Sequence, residues 1–261
     1  MRCNVCLDDN CKNKSCDCTK CKHIKECDKV LSPIIRITDK CTQSCSHCCF
    51  SCSPKGNKMM TIEMAKNIKQ FLTNNNILMC TIMGGEFFMN PDWKEIFDII
   101  IPGLIFVRLV TNGDWAENQY IIDNIKYENL KISISKDKWH TNKLVDKAIQ
   151  VCIDKDIKYN VTTTEEATDE CLVPVGRVGW GNFYSMFGQY CQRSKYSFLI
   201  DEAGEIYKCG FGIWKYASVN EYLDGEFDKR FKEFNLIFYS TFIPNCASCI
   251  RSYNKNKITS S

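Results

Sequence analysis

From Pro33 to Thr163 the chain alternates short β-branched apolar runs with longer stretches of helical periodicity, and this alternation limits the fold more than any other feature. The segments "PIIRIT", "ILMCTIM", "FVRLVT", "LKISIS" and "KYNVTT" have strand character. Between them, "TIEMAKNIKQFLTNNN", "NPDWKEIFDIII", "AENQYIIDNI" and "TNKLVDKAIQVCIDK" have helix character, the second with Asn90 as the expected cap and Pro91 in the first turn. Repeated strand–helix units predict an α/β fold with a parallel sheet and right-handed crossovers. Chemistry in such sheets gathers at the C-terminal ends of the strands, where the loops converge. Four unusual loops follow the first four strands: Cys41 to Cys52, Gly84-Gly85-Glu86, Thr111-Asn112-Gly113 and Ser135-Lys136-Asp137. All four are expected on one rim. After about residue 180 the pattern changes to a hairpin, "FLIDEAGEIYKC", then a helix, "DGEFDKRFKEF", and a Cys-x2-Cys segment. That part is too small to bury much core alone and needs a metal or the main sheet to hold it.

The chain has 261 residues, 44% of them hydrophobic and 25% charged, which suffices for a substantial core. Its net charge of +3 comes from interspersed Lys, Arg, Asp and Glu, so no stretch tracks phosphates and charge does not argue for nucleic acid as a partner. No apolar run reaches the length of a membrane span; "FDIIIPGLIFVRLV" is broken by Pro102 and Gly103. The N-terminal "MRCNVCLDDNCKNK" lacks the apolar region of a secretion signal, and a cytoplasmic location is expected. Nineteen cysteines in a reducing compartment point to metal or iron–sulfur ligation. A disulfide-rich secreted protein is the competing reading, weakened by the odd count and the real hydrophobic pattern.

Cys41-x3-Cys45-x2-Cys48 supplies three thiolates on one short loop, and soft sulfur favours iron–sulfur clusters or zinc. A 4Fe–4S cube with three protein ligands leaves one iron open. A zinc knuckle completed by His47, Cys49 or Cys52 is the alternative. The spacing after the first strand, together with "MGGEFF" after the second, resembles the radical S-adenosylmethionine (SAM) superfamily over residues 33 to 180. The resemblance implies a partial (β/α)6 TIM-like barrel. It also implies a catalytic 4Fe–4S cluster whose open iron chelates SAM, and reductive cleavage to a 5′-deoxyadenosyl radical that removes a substrate hydrogen. By position, Cys41, Cys45 and Cys48 would ligate that cluster, and Glu86 with the backbone of Gly84 and Gly85 would hold the SAM ammonium. His47 stands where the family usually has an aromatic residue against adenine, and Ser133 and Ser135 would reach the ribose or carboxylate. The family's Gly-Gly-Glu-Pro is Gly-Gly-Glu-Phe here, which puts the turn after Glu86 in question.

Cys191, Cys209, Cys246 and Cys249 are similar to the "twitch" domain, a shortened SPASM domain in which four thiolates hold an auxiliary 4Fe–4S cluster. Structural zinc is the alternative. "VPVGRVGWGN" makes Arg177 a candidate for the SAM carboxylate or substrate. Cys18-x2-Cys21-x5-Cys27 resembles a SPASM cysteine run and is expected to bind a further cluster or zinc. The expected division is a cysteine-rich extension (1–32), the radical SAM core (33–180) and an auxiliary cluster domain (181–261). With the resemblance, the cysteine inventory points to oxidation or crosslinking of a peptide, with dehydrogenation of a small alcohol or cofactor precursor and peptide epimerisation as alternatives; a non-enzymatic metal-stabilised binding or electron-transfer protein is the alternative outside the family. A flavodoxin- or ferredoxin-type reductant is the implied protein partner. For epimerisation, Cys80, Cys152 and Cys171 are the candidate hydrogen donors, although each sits where buried packing is the ordinary role.

Overall fold

A computed structural model describes residues 31–141, 143–163, 197–208, 212, 215–227 and 229–231. Five strands, β1 (Ile34–Arg36), β2 (Met79–Met83), β3 (Phe106–Thr111), β4 (Leu130–Lys136) and β5 (Tyr159–Thr163), pair in parallel. The helices between them are α1 (Ile62–Asn74), α2 (Trp93–Ile100), α3 (Gln119–Asn124) and α4 (Val145–Asp154). Beyond β1 the sheet continues through β6 (Leu199–Ile200), β7 (Glu205–Tyr207) and β8 (Lys215–Ser218), giving eight strands in the order β5-β4-β3-β2-β1-β6-β7-β8. β6 is parallel to β1, whereas β7 and β8 run antiparallel to their neighbours. This is the expected mixed α/β architecture with a mostly parallel sheet, consistent with a partial TIM-like barrel.

Strand parity divides the sheet into two faces. Ile35, Ile82, Val107, Leu109, Ile132 and Ile134 are fully buried on one, against the helices. The opposite, concave face carries Arg36, Met83, Arg108, Val110, Ser133 and Ser135. The packed face is apolar and the concave face largely polar, so one face holds the fold together and the other is left for chemistry.

Local chemistry sets the helix starts. The Thr61 hydroxyl accepts from Met64 N–H at 3.1 Å and caps α1, and Asn118 caps α3 in the same way. α2 begins later than the sequence suggests. Asn90 Oδ1 accepts from Asp92 N–H at 2.9 Å while its Nδ2 donates to the Met60 carbonyl at 3.0 Å, so Asn90 closes a turn and ties it to the segment before α1. The helix then starts at Trp93 behind Asp92.

The hairpin expected at Glu202-Ala203-Gly204 is β6–β7, with Gly204 at φ +81 in the left-handed region open to glycine. It does not stand apart. β6 hydrogen-bonds directly to β1, and Phe198 and Phe227 pack edge-on or tilted against Phe71 of α1 and each other, at centroid distances of 6.3, 5.0 and 4.7 Å. A hairpin too small to bury a core of its own shares the one behind the parallel strands.

Candidate active site

The cysteine loop leaves the sheet after β1 and is pinned at its base by backbone. Cys41 N–H donates to Ser53 O at 3.0 Å, Ser53 N–H to Asp39 O at 3.3 Å, and Asp39 N–H to Lys58 O at 3.2 Å. Within the loop, Cys48 N–H reaches Cys45 O and Ser51 N–H reaches Cys48 O, both at 3.2 Å, and two successive tight turns bring the cysteines round. Cys41, Cys45 and Cys48 line one cavity at the C-terminal rim of the sheet, together with Gly84, Gly85 and Ser135. The rim convergence read from the sequence is therefore present.

Two donors face the sulfurs. Cys52 N–H approaches Cys48 Sγ at 3.3 Å, and Asn112 Nδ2 approaches Cys41 Sγ at 3.8 Å. Burial pushes the Cys41 thiol up to about 11, and the Cys52 thiol is also raised, chiefly by its hydrogen bond with Cys48 and then by burial. Negative sulfur is unfavourable in such a site unless metal charge offsets it. Tetrahedral zinc, with Zn–S near 2.3 Å, draws its sulfurs to about 3.8 Å from one another. Among the described residues no three cysteine sulfurs lie within 4.8 Å of each other. The three sulfurs of the loop are thus not all as close together as a single tetrahedral zinc would draw them.

Glu86 follows directly on the Gly84-Gly85 edge of the cavity. Its carboxylate is buried, with both oxygens engaged: Oε1 accepts from Thr111 Oγ1 at 2.8 Å and Oε2 from Asn112 N–H at 2.9 Å. These bonds tie it to the loop after β3, and Gly84 and Gly85, just before it, line the cavity. Burial raises the Glu86 carboxyl to about 7, against the two donors, which lower it. The folded pKa lies above the unfolded value of 4.5, so the folded state binds the extra proton. Its stabilising contribution is complete below about pH 4.5 and is lost as pH rises through about 7, on the order of 3 kcal/mol in all. Denaturant melts of the metal-free protein across this range should show that loss, and Glu86→Gln should flatten it.

Ser135 lines the cavity, but Ser133 does not. The Ser133 hydroxyl is buried one rung deeper, accepting from Arg108 Nη2 at 3.1 Å and Asn160 Nδ2 at 3.0 Å and pairing with Thr162 Oγ1 at 3.1 Å. The hydroxyl is thus engaged by three side chains of the sheet, two of which donate to it. His47 lines the cavity and stacks on Trp139, centroids 4.9 Å apart at 30°. Its Nε2 lies 4.0 Å from Asp137 Oδ2, whose other oxygen is 2.8 Å from His140 Nδ1. Arg177, Cys191, Cys209, Cys246, Cys249, Cys18, Cys21 and Cys27 lie outside the described residues, as does Cys171. Cys80 and Cys152 are buried in the core behind the sheet, as packing groups.

Sequence reasoning missed Gln43. This buried side chain donates through Nε2 to Asp114 Oδ2 at 2.9 Å and accepts at Oε1 from Thr141 N–H at 2.9 Å. One residue inside the cysteine spacing thus joins the loops after β1, β3 and β4. Trp139 and His140 were missed as well; their closeness in sequence to Asp137 was the available signal.

The family model for the radical SAM superfamily matches residues 35–169, just over half of the chain. The chain belongs to the radical SAM superfamily. It is 29% identical over 132 residues to YydG of Bacillus subtilis (strain 168), a protein named for peptide biosynthesis, covering 48% of this chain and 41% of that one. It is 34% identical over 83 residues to AlbA of the same organism, named for biosynthesis of the antilisterial bacteriocin subtilosin, covering 32% of this chain and 18% of that one. The chain thus spans less than half the length of these curated relatives. Among solved structures, BtrN in complex with AdoMet and 2-DOIA superposes with a TM-score of 0.56 at 14% identity, over 78% of this chain and 85% of that one, a likeness of fold.

Proposed function

We propose that this protein modifies a peptide by radical chemistry, removing a hydrogen from a carbon of the substrate and leading to an oxidised or crosslinked product. The observation that carries the reading is the meeting of Cys41, Cys45 and Cys48 with the Gly84-Gly85 edge at one cavity on the sheet rim. The names of YydG and AlbA support a peptide substrate. A 4Fe–4S cluster with SAM would supply the 5′-deoxyadenosyl radical that takes the hydrogen.

The residues divide the remaining work. Cys41, Cys45 and Cys48 hold the cluster, with the donors at Cys52 N–H and Asn112 Nδ2 orienting their sulfurs. The backbone of Gly84 and Gly85 receives the SAM ammonium, while Glu86 keeps the Thr111–Asn112 turn in place behind it. His47, backed by Trp139, offers a flat face for adenine, and Ser135 a hydroxyl for the ribose or carboxylate. Cys191, Cys209, Cys246 and Cys249 bind an auxiliary cluster in the segment 181–261, which takes up the electron left after hydrogen removal. Cys18, Cys21 and Cys27 bind a further cluster or zinc in the segment 1–32, and Arg177 contacts the SAM carboxylate or the substrate. A flavodoxin- or ferredoxin-type protein supplies the reducing electron.

The test is anaerobic incubation of the reconstituted protein with SAM, a reductant and a pool of synthetic peptides, read by mass spectrometry. Loss of two hydrogens from a peptide in step with 5′-deoxyadenosine is expected. Solvent deuterium entering a peptide carbon without mass loss would replace oxidation by epimerisation. Cleavage of SAM with every peptide unchanged would remove the peptide reading.

A further inference from the structure

Two arginines on the concave face of the sheet have opposite surroundings. Arg36, on β1, donates through Nε and Nη2 to the two carboxylate oxygens of Glu202 at 2.7 and 3.1 Å, with Asp201 Oδ2 at 3.9 Å, and lies over the Phe50 ring. Its charge is matched. Arg108, on β3, donates from Nη2 to Ser133 Oγ at 3.1 Å, and its buried Nε meets no acceptor among the described residues. Among the described residues no carboxylate forms an ion pair with it. Lys131, its register partner on β4, adds a second positive charge on the same face.

The position of Arg108 relates it to the cavity. It stands two residues before Val110, which lines the cavity, and its guanidinium reaches Ser133, the register partner of Val110. The side chain therefore leans toward the rim, and its charge lies beneath the cavity floor. Ser133 is itself fixed by Asn160 and Thr162, at 3.0 and 3.1 Å, so a buried hydroxyl held by two side chains of β5 orients one guanidinium. A partly desolvated guanidinium with unused donors is costly unless a ligand meets it. The planar fork is matched best by a carboxylate, which accepts two parallel hydrogen bonds.

We infer that Arg108 is the anchor for a carboxylate of the substrate, held beneath the cavity at which the radical would act. The inference rests on the peptide reading only for the source of that carboxylate, an Asp or Glu side chain or a free C-terminus. Asn160, Thr162 and Ser133 act as positioning residues for the guanidinium.

Arginine labelling with phenylglyoxal, mapped by mass spectrometry on the reconstituted wild-type protein, tests the site without a known substrate. N-acetylglutamate should slow labelling of Arg108 on the order of tenfold while N-acetylglutamine does not, with Arg36, already clamped by Glu202, as internal reference. Equal effects of the two compounds, or no effect of either, would overturn the inference. So would equal protection by SAM alone, which would assign Arg108 to SAM. A second arm retains random hexapeptides, amidated or with free C-termini, on the immobilised protein. Enrichment of Asp and Glu or of free C-termini identifies the source, and Arg108→Gln should weaken binding of an enriched peptide about ten- to a hundredfold. An enrichment that Arg108→Gln leaves intact would also overturn it. Protection by N-acetylglutamate with no peptide retained would support the carboxylate anchor and move the substrate to a small acid, so the peptide reading alone would fall.

Discussion

Replacing Cys41, Cys45 and Cys48 together by Ala is expected to abolish 5′-deoxyadenosine formation after anaerobic reconstitution, with no detectable residual activity. The fold should survive. The base of the loop is held by the backbone bonds from Cys41 to Ser53 and from Asp39 to Lys58, and no sulfur takes part in them. The circular dichroism spectrum should therefore match the wild type, separating loss of the site from loss of structure. Iron and labile sulfide retained by the triple variant test the outer cysteines at the same time. About four irons or more per chain would support an auxiliary cluster and the oxidation or crosslinking reading. No iron would leave those cysteines with zinc or nothing and move epimerisation ahead. Cys80→Ala is the companion control. Its sulfur is buried behind the sheet, so iron content and SAM cleavage should stay at wild-type levels while the protein loses some stability.

Much of this site was legible because its parts are local in sequence. Alternating periodicity gave the strands and helices, and parallel pairing follows from their alternation, so four loops were expected on one rim. The cysteine spacing and the two glycines lie in two of those loops. What escaped was set by distance in the chain or by depth along a strand. Ser133 and Ser135 have the same parity and project from the same face of β4; only the neighbours Arg108 and Asn160, from β3 and β5, show that the first is enclosed and the second lines the cavity. Glu86 reads as a SAM contact from its place in the Gly-Gly-Glu motif, and nothing local to that motif shows that its carboxylate is also bound by Thr111, at the end of another strand, and by Asn112 just beyond it. Gln43 carries no local signal of its links to Asp114 and Thr141. The hairpin was recognised from its turn, but no feature of Leu199 or Ile200 alone reveals that β1 is their partner.

Gly85→Ala should be the most damaging single substitution in the rim outside the cysteines. A Cβ at Gly85 would stand 2.2 Å from Lys40 O and 2.6 Å from Lys40 C, closer than any real contact, and 2.8 Å from Cys41 Cβ. The obstruction is backbone, and that backbone is itself in use: Gly85 N–H donates to Thr38 O and Glu86 N–H to Lys40 O, both at 2.8 Å. Relief would have to separate the loop after β2 from the loop after β1, breaking these bonds and displacing Cys41. The expected result is a loss of stability of more than about 3 kcal/mol in denaturant melts, together with loss of iron from the site. Gly84→Ala is the discriminating comparison. Its nearest atoms would be Thr38 O at 3.1 Å and the Thr38 methyl at 3.2 Å, contacts that a shift of a few tenths of an ångström can relieve. Equal damage from the two substitutions would mean that the second loop simply needs two flexible residues. Selective damage at Gly85 would mean that its missing side chain is what lets the second loop close against the first and set the position of Cys41.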